Sequence, residues 1–254
     1  MLTLIAEPGF ALANITDAEI ISPEGATPGA RRNAGVAAAS GDFIAFADAG
    51  DKAAPGFFTA LLSAASELGA DIAVAGTTEG SKPEGARALD AAGAVGEYLL
   101  GKSFSTWAAG AVFRRRLFEG VSFPEAGELC DLSACYRLFA AASAVAVVPG
   151  LSYSRGRREP EDRELTAEYI VEHLAVYRER EEFISARFPE LRGLARYSEW
   201  AYMLAAIEKI TRLGLARCYA PLRYMRNELK TYWREFYESP HTTDEEKILM
   251  KAYV

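Results

Sequence analysis

Cysteine and histidine are scarce in this sequence of 254 residues, which contains three cysteines and two histidines. A small, odd number of cysteines does not provide a disulfide framework, and we recognise no signal peptide, so a reducing compartment is favoured. Two histidines leave little for histidine-based metal sites or catalytic triads. We therefore expect a cytoplasmic protein, with peripheral contact at the inner face of a membrane as a variant of that location.

Long hydrophobic runs and an excess of positive charge are also missing. The longest apolar stretch, residues 138–151, contains Ser143, Pro149 and Gly150. It is shorter than the roughly 20 residues that a membrane-spanning helix needs. With 28 basic and 35 acidic residues the net charge is −7, which argues against a broadly basic surface and hence against a nucleic-acid partner.

The amino-acid composition of the chain changes near residue 150. Residues 1–150 hold 10 basic and 17 acidic residues, whereas residues 151–254 hold 18 of each. The first part is rich in alanine, glycine and short β-branched runs, and the second is dense in charge and tyrosine. The sequence thus predicts an α/β domain over residues 1–158 and a helical region over residues 159–254.

The first part alternates strand-like and helix-like segments. Buried strands are predicted at residues 2–6, 18–22, 42–47, 70–75 and 104–113, and helices at residues 28–40, 55–68, 89–100 and 131–141. This alternation predicts a mostly parallel sheet with helices on both faces. In such sheets ligands bind beyond the carboxyl ends of the strands.

The second part carries apolar residues at helical spacing. Its predicted helices span residues 164–188, 192–213, 222–237 and 244–253, with breaks at Pro189, Gly214 and Pro221. No internal repeat is recognisable, and no motif for chemistry stands out in this part.

Two carboxylates follow the strand at residues 42–47. Asp48 and Asp51 are three residues apart, with Gly50 between them. Acids at a strand's carboxyl end can hold a hard divalent cation that in turn holds a diphosphate. The structural alternative is a polar turn in which Asp51 caps the helix beginning near Pro55.

The surrounding residues carry a family resemblance. Residues 29–35 read Gly-Ala-Arg-Arg-Asn-Ala-Gly, and residues 40–46 read Ser-Gly-Asp-Phe-Ile-Ala-Phe before the acidic turn. This ordered series resembles the family 2 glycosyltransferases, which have the GT-A fold. Three later segments extend the resemblance over roughly residues 1–158: residues 106–118, residues 123–131 with Phe-Pro-Glu and Leu-Cys-Asp, and residues 152–155 with Ser-Tyr-Ser-Arg.

The resemblance implies transfer of a sugar from a nucleotide diphosphate donor, UDP-linked by preference, to a hydroxyl of a glycan or glycolipid acceptor. It implies polysaccharide or glycoconjugate assembly as the setting and inversion at the anomeric carbon. Asp131 matches the family's general base, which such a transfer requires. At the start of a helix, Asp131 is equally well interpreted as an N-cap, and the two roles are compatible.

The resemblance also implies binding residues. Asp48 and Asp51 match the first and last acids of a motif for Mn²⁺ or Mg²⁺, and Asp48 would thereby help to bind the nucleotide. Arg32 and Arg155 are candidates for steadying phosphate oxygens, with surface salt bridges as an equally good interpretation. If residues 11–14 and 18–27 form the second strand and its turn, Glu24 matches an acid that contacts the nucleoside.

Departures from the family pattern support a second hypothesis. Gly50 replaces the middle acid of the metal motif, Cys130 replaces a glutamate, and the beginning is compressed. In another register, residues 19–25 form the third strand and the acid assigned to Glu24 is missing. The alternative to an enzyme is a catalytically degenerate relative that serves as a binding or assembly protein.

Overall fold

The computed structural model describes residues 1–11, 15, 18–77, 85–126, 129–156 and 165–254. The chain divides into two compact units, Met1–Arg158 and Glu159–Val254. Residues 12–14, part of the predicted second strand and turn, lie outside the described residues.

The first unit is built on a mixed sheet. Its strands in chain order are β1 (Leu2–Ala6), β2 (Ala18–Ile21), β3 (Phe43–Ala47), β4 (Lys52–Ala53), β5 (Ile72–Ala75), β6 (Arg87–Leu89), β7 (Ala111–Arg114), β8 (Val145–Val148) and β9 (Tyr153–Ser154). Seven of these described strands form one sheet in the order β2-β1-β3-β7-β5-β8-β6, and β4 pairs with β9 in a small second sheet.

Most strands of the large sheet point the same way. β1 pairs in parallel with β2 and β3, and β5 pairs in parallel with β8. β7 is antiparallel to both β3 and β5, and β6 is antiparallel to β8 at the edge. Five strands therefore end at a common carboxyl edge, and the predicted fold class, a mostly parallel α/β sheet, is confirmed.

Helices cover both faces of this sheet because its strands alternate side chains between the two faces. The helices of this unit are α1 (Pro28–Ala38), α2 (Phe57–Glu67), α3 (Ala91–Leu100) and α4 (Cys130–Ala141). Leu4 and Ala45 share a fully buried core with Leu61 of α2. Ile5, on the opposite face, lies directly against Gly35 of α1, where an added Cβ would be 2.6 Å from the isoleucine side chain.

Two predicted strands differ from the structure. Residues 18–22 were expected to be buried, but β2 is the edge strand of the sheet and Ile20 is 42% exposed. The strand predicted over residues 104–113 is regular only from Ala111, because Gly110 has a φ of +81° that no strand accommodates. Phe104 contributes only an isolated bridge to Gly76.

The second unit is helical, as predicted. It contains α5 (Ala167–Arg187), α6 (Arg192–Leu213), α7 (Tyr219–Thr231), α8 (Trp233–Glu238) and α9 (Asp244–Tyr253). The predicted helix 222–237 is interrupted at Tyr232, and Pro221 lies within the first turn of α7, where it costs no hydrogen bond. Across the described parts of the chain, every helix is too short or too polar to cross a bilayer.

α6 of the second unit contains a buried carboxyl group. Glu199 is 8% exposed. Burial raises the pKa of Glu199 to about 7, and the negative charges of Glu181 and Glu228 add to this, while Arg178 opposes it. The unfolded chain ionises this group near its ordinary value of 4.5. Between these two values the folded state binds the proton more tightly, so stability falls as pH rises through this window.

We therefore expect Glu199→Gln to stabilise the second unit at pH 8 by about 1–2 kcal/mol, with little effect at pH 4.5, because the glutamine carries no charge to desolvate. Urea unfolding in a Trp107→Phe background measures this, since the remaining tryptophans, Trp200 and Trp233, both lie in this unit. Glu182→Gln, on the exposed surface of α5, is the matched control and should change stability equally at both pH values. An equal effect of Glu199→Gln at both pH values would contradict the assignment.

Candidate functional site

The candidate site lies at the carboxyl edge of the large sheet. Asp48 follows β3 and is 5% exposed. Glu24 follows β2 at the same edge and is exposed to solvent. β2 pairs with β1, which fits the register in which Glu24 follows the second strand.

A buried arginine joins two of the predicted acids. The Arg32 guanidinium donates through Nη2 to Asp48 Oδ1 at 3.0 Å, and through Nη1 it forms an ion pair with Asp131 Oδ1. Nη1 also lies 3.0 Å from the Cys130 Sγ. Burial, the largest single influence, lowers the pKa of Arg32, but the negative charge of Asp48 and the neighbouring cysteine Cys130 together raise it, so the net shift is upward and the side chain stays charged.

Helix α1 holds Arg32 in this position. Thr27 caps the helix by accepting from the Ala30 N–H at 3.2 Å, and Pro28 occupies its first turn. Asn33 exchanges hydrogen bonds with the backbone of Phe123 at 2.8 and 2.9 Å. Gly29 lies so close to this segment that an added Cβ would be 1.9 Å from the Pro124 carbonyl oxygen. The helix is therefore fixed against residues 123–125.

Two aromatic rings pack against the guanidinium. The Arg32 Cζ lies 5.6 Å from the ring centroid of Phe46 and 5.3 Å from that of Phe123, and the two rings contact each other edge to face. A guanidinium near aromatic faces gains a favourable cation–π interaction. Because the rings exclude water, the ion pairs of Arg32 lie in a low-dielectric environment.

Asp131 is positioned by the beginning of α4. It is the second residue of that helix, and its Oδ2 accepts from the Ala108 N–H at 3.1 Å. The N-cap position belongs to Leu129, which makes no side-chain capping bond. The interpretation of Asp131 as a helix cap is therefore wrong, and its carboxylate is used for contacts across the fold.

The carboxylate of Asp51 has partners other than Arg32. Its Oδ2 accepts from the Tyr153 hydroxyl at 2.7 Å, and its Oδ1 accepts from the Gly156 N–H at 2.6 Å. Burial and this carboxylate raise the pKa of Tyr153, so the phenol remains a donor. α2 begins at Phe57 after Gly56, which makes no side-chain cap, so the prediction that Asp51 caps this helix is wrong.

An open cleft of about 670 Å³ is lined by Tyr153, the hydrogen-bond partner of Asp51, but not by Asp48 or Asp131. Its lining includes Gly76 beyond β5, Gly150 beyond β8, and Ala109 and Gly110 before β7. Ala108, which donates to Asp131, directly precedes these last two residues. The cleft wall and the Asp131 carboxylate are therefore tied to the same short stretch of backbone.

Two cations line this cleft. Lys102 follows α3, and Arg155 follows β9. The Arg155 Cζ lies 4.0 Å from the ring centroid of Trp107, so the predicted phosphate-binding arginine is stacked on an aromatic side chain at the cleft. The planar fork of a guanidinium matches the geometry of phosphate, and such a group also stacks on aromatic rings.

The donor set does not fit a divalent-cation site. Asp48 accepts from Arg32, both oxygens of Asp51 accept from Tyr153 and Gly156, and Gly50 offers no side chain. In the ranges that the structure describes, no three Asp, Glu, His or Cys side chains are arranged to hold a metal ion. We therefore derive no catalytic step through Mn²⁺ or Mg²⁺.

Sequence reasoning missed Glu7 at this edge. Glu7 follows β1, pairs with Arg31 at 2.6 Å and accepts from the Ala49 N–H at 3.2 Å, so it supports the acidic turn. The rule that drew attention to Asp48, an acid directly after a strand, would also have found Glu7. Tyr153 was recognised as part of a motif, but its bond to Asp51 has no signal in the sequence.

Among solved structures, several of TarS are similar to this chain. No curated protein is significantly similar to the chain. The crystal structure of S. aureus TarS 1–349 in complex with UDP-GlcNAc is 14% identical, with a TM-score of 0.49 over 86% of this chain and 75% of that one. TarS 1–349 in complex with UDP is 17% identical, with a TM-score of 0.41 over 93% and 73%. The longer TarS structure is 14% identical, with a TM-score of 0.47 over 99% and 55%.

One family model matches the sequence directly. The model described as Glycosyl transferase family 2 matches residues 17–121. This segment contains β3, the acidic turn and the helix that carries Arg32. Over residues 17–121, the chain is thus similar to glycosyl transferase family 2.

Proposed function

We propose that this protein transfers a sugar from a nucleotide diphosphate donor, UDP-linked by preference, to a hydroxyl of a glycan or glycolipid in polysaccharide or glycoconjugate assembly. The observation that carries the proposal is the meeting of Asp48 and Asp131 on Arg32, with Asp131 bonded to Ala108, whose neighbours Ala109 and Gly110 line the open cleft. These acids come from distant parts of the sequence and from different elements. Their meeting at the carboxyl edge is what a ligand site in an α/β sheet requires.

Asp131 is assigned as the general base of an inverting transfer. Such a base removes the proton from the acceptor hydroxyl on the face opposite to the leaving group. The Ala108 N–H and the Arg32 guanidinium fix the orientation of the carboxylate before an acceptor arrives. Preorientation of this kind lowers the entropic cost of reaching the reactive geometry.

Binding of the donor is assigned to the cleft and its neighbouring acids. A volume of about 670 Å³ lies in the range of about 300–1,000 Å³ that is usual for small-ligand sites. Arg155 and Lys102 supply positive charge where a diphosphate would lie, and charge-assisted bonds to phosphate are strong. Glu24 and Asp48 are assigned to the nucleoside side of the donor.

A specific observation favours the alternative of a catalytically degenerate binding or assembly protein. Asp131 is only 3% exposed, and both of its carboxylate oxygens already contact protein groups. A base that acts on a bound hydroxyl must come within about 3 Å of it. If residues 108–110 do not move, the acceptor does not reach Asp131.

Calorimetry and a transfer assay separate the two functions. We expect UDP to bind with micromolar affinity, and we expect UDP release from a panel of UDP-sugars when a glycan or glycolipid acceptor is added. Arg155→Gln should weaken UDP binding by about tenfold, as expected for loss of a charge-assisted bond of about 1.5 kcal/mol. Lys52→Gln, an exposed change on β4, is the control. Binding of UDP without transfer would favour the degenerate relative, and absence of any nucleotide binding would refute the proposed donor.

A further inference from the structure

Arg32 occupies the space where its neighbouring carboxylates face each other. Its two terminal nitrogens meet Asp48 and Asp131 separately, and the Cys130 sulfur lies beside the second of them. Three groups that ordinarily serve as metal ligands, two carboxylates and a thiol, are thus gathered around a guanidinium. The positively charged guanidinium of Arg32 therefore already lies between the two acids.

The Arg32 guanidinium is held in place by the residues around it. Arg32 is 6% exposed and packs against Phe46 and Phe123. The backbone of its helix is fixed by Gly29 against Pro124 and by Asn33 against Phe123. Moving the side chain into solvent would leave two buried carboxylates uncompensated, which is strongly unfavourable.

The other predicted metal ligand is also engaged. Both carboxylate oxygens of Asp51 accept hydrogen bonds, from Tyr153 and from Gly156, and Asp51 directly precedes β4, which pairs with β9. An added Cβ on Gly156 would lie 2.6 Å from the Gly50 carbonyl carbon, so the two segments are in close contact. Asp51 therefore uses both carboxylate oxygens for contacts within the fold, whereas a metal ligand needs an oxygen that the ion can reach.

We propose that the guanidinium of Arg32 takes the place of a divalent cation between Asp48 and Asp131, so that nucleotide diphosphates bind to this protein without a metal ion. The part of this inference that concerns nucleotides rests on the proposed function. One positive charge compensates one of the two carboxylates, and Lys102 and Arg155 at the cleft supply the charge that meets the diphosphate.

The first test uses Mn²⁺ alone, measured from the electron paramagnetic resonance signal of the free ion. We expect the wild-type protein to bind Mn²⁺ no more tightly than in the millimolar range, and Asp48→Asn to leave this unchanged. We expect Arg32→Met to bind Mn²⁺ at least about tenfold more tightly, since it exposes two carboxylates to the ion. Arg32→Lys retains a cation and should resemble the wild type.

The inference would be overturned if the wild type bound Mn²⁺ in the micromolar range and Asp48→Asn abolished this binding. So would a folded Arg32→Met variant that gains no affinity for the ion. If Arg32→Met does not fold, as judged by near-ultraviolet circular dichroism, the wild type, Asp48→Asn and Arg32→Lys still decide the question.

The second test uses UDP. We expect its dissociation constant to be the same within about threefold in EDTA and in Mn²⁺, and a tightening of about tenfold or more by Mn²⁺ would contradict the inference. Failure to bind UDP under either condition would refute the proposed function instead, while the Mn²⁺ titrations would still report on the role of Arg32.

Discussion

Asp131→Asn is expected to reduce sugar transfer by about 10²–10⁴-fold, which is the usual contribution of a general base. The asparagine has nearly the same shape and can still accept from the Ala108 N–H, so the fold around α4 should persist. UDP binding should stay within about threefold of the wild type, because Asp131 is assigned to the acceptor. The measurement is the initial rate of UDP release at saturating donor and acceptor, with calorimetry of UDP binding on the same sample.

A matched variant separates loss of the base from damage to the unit. Asp90 caps α3 through a 2.8 Å bond from the Gly93 N–H, and asparagine caps helices equally well. Asp90→Asn should therefore retain the full transfer rate. Full activity of Asp131→Asn would exclude it as the base, and an equal loss in both variants would indicate a general effect on folding.

The architecture was predictable from sequence to the extent that local pattern decides it. The strands at residues 2–6 and 42–47 and the helix from Pro28 lie within one or two residues of their predicted positions, because apolar runs and capping residues set them locally. The exposure of Ile20 was not predictable in this way. An apolar run looks the same at the centre of a sheet and at its edge, and only the strand order decides between them.

The candidate site was predictable in part. The rule that ligands lie beyond strand ends, together with the family resemblance, brought Asp48, Asp131 and Arg32 into one hypothesis. It did not reveal that Arg32 would bond to both acids, because this depends on how α1 packs against residues 123–125. Nor did it reveal the partners of Asp51, since Tyr153 is about a hundred residues away in sequence.

The buried ion pairs of Arg32 also determine how strongly the first unit depends on this residue. Removing one partner of a buried pair leaves an uncompensated charge, which typically costs about 3–5 kcal/mol. Here a single removal leaves two carboxylates, with side chains that are 7% and 3% exposed. The candidate site is thus also one on which the folding of this unit depends.

We accordingly expect Arg32→Met to lower the free energy of unfolding of the first unit by about 3–5 kcal/mol. Arg32→Lys should lie between this variant and the wild type, because an ammonium group keeps the charge but lacks the fork that reaches both acids. Asp48→Asn added to Arg32→Met should recover about 1–3 kcal/mol, since one of the two uncompensated buried charges is removed. Urea unfolding in a Trp200→Phe, Trp233→Phe background, followed by the fluorescence of Trp107, measures each value. A loss below about 1 kcal/mol in Arg32→Met would contradict the prediction, since that is the range of a solvent-exposed salt bridge.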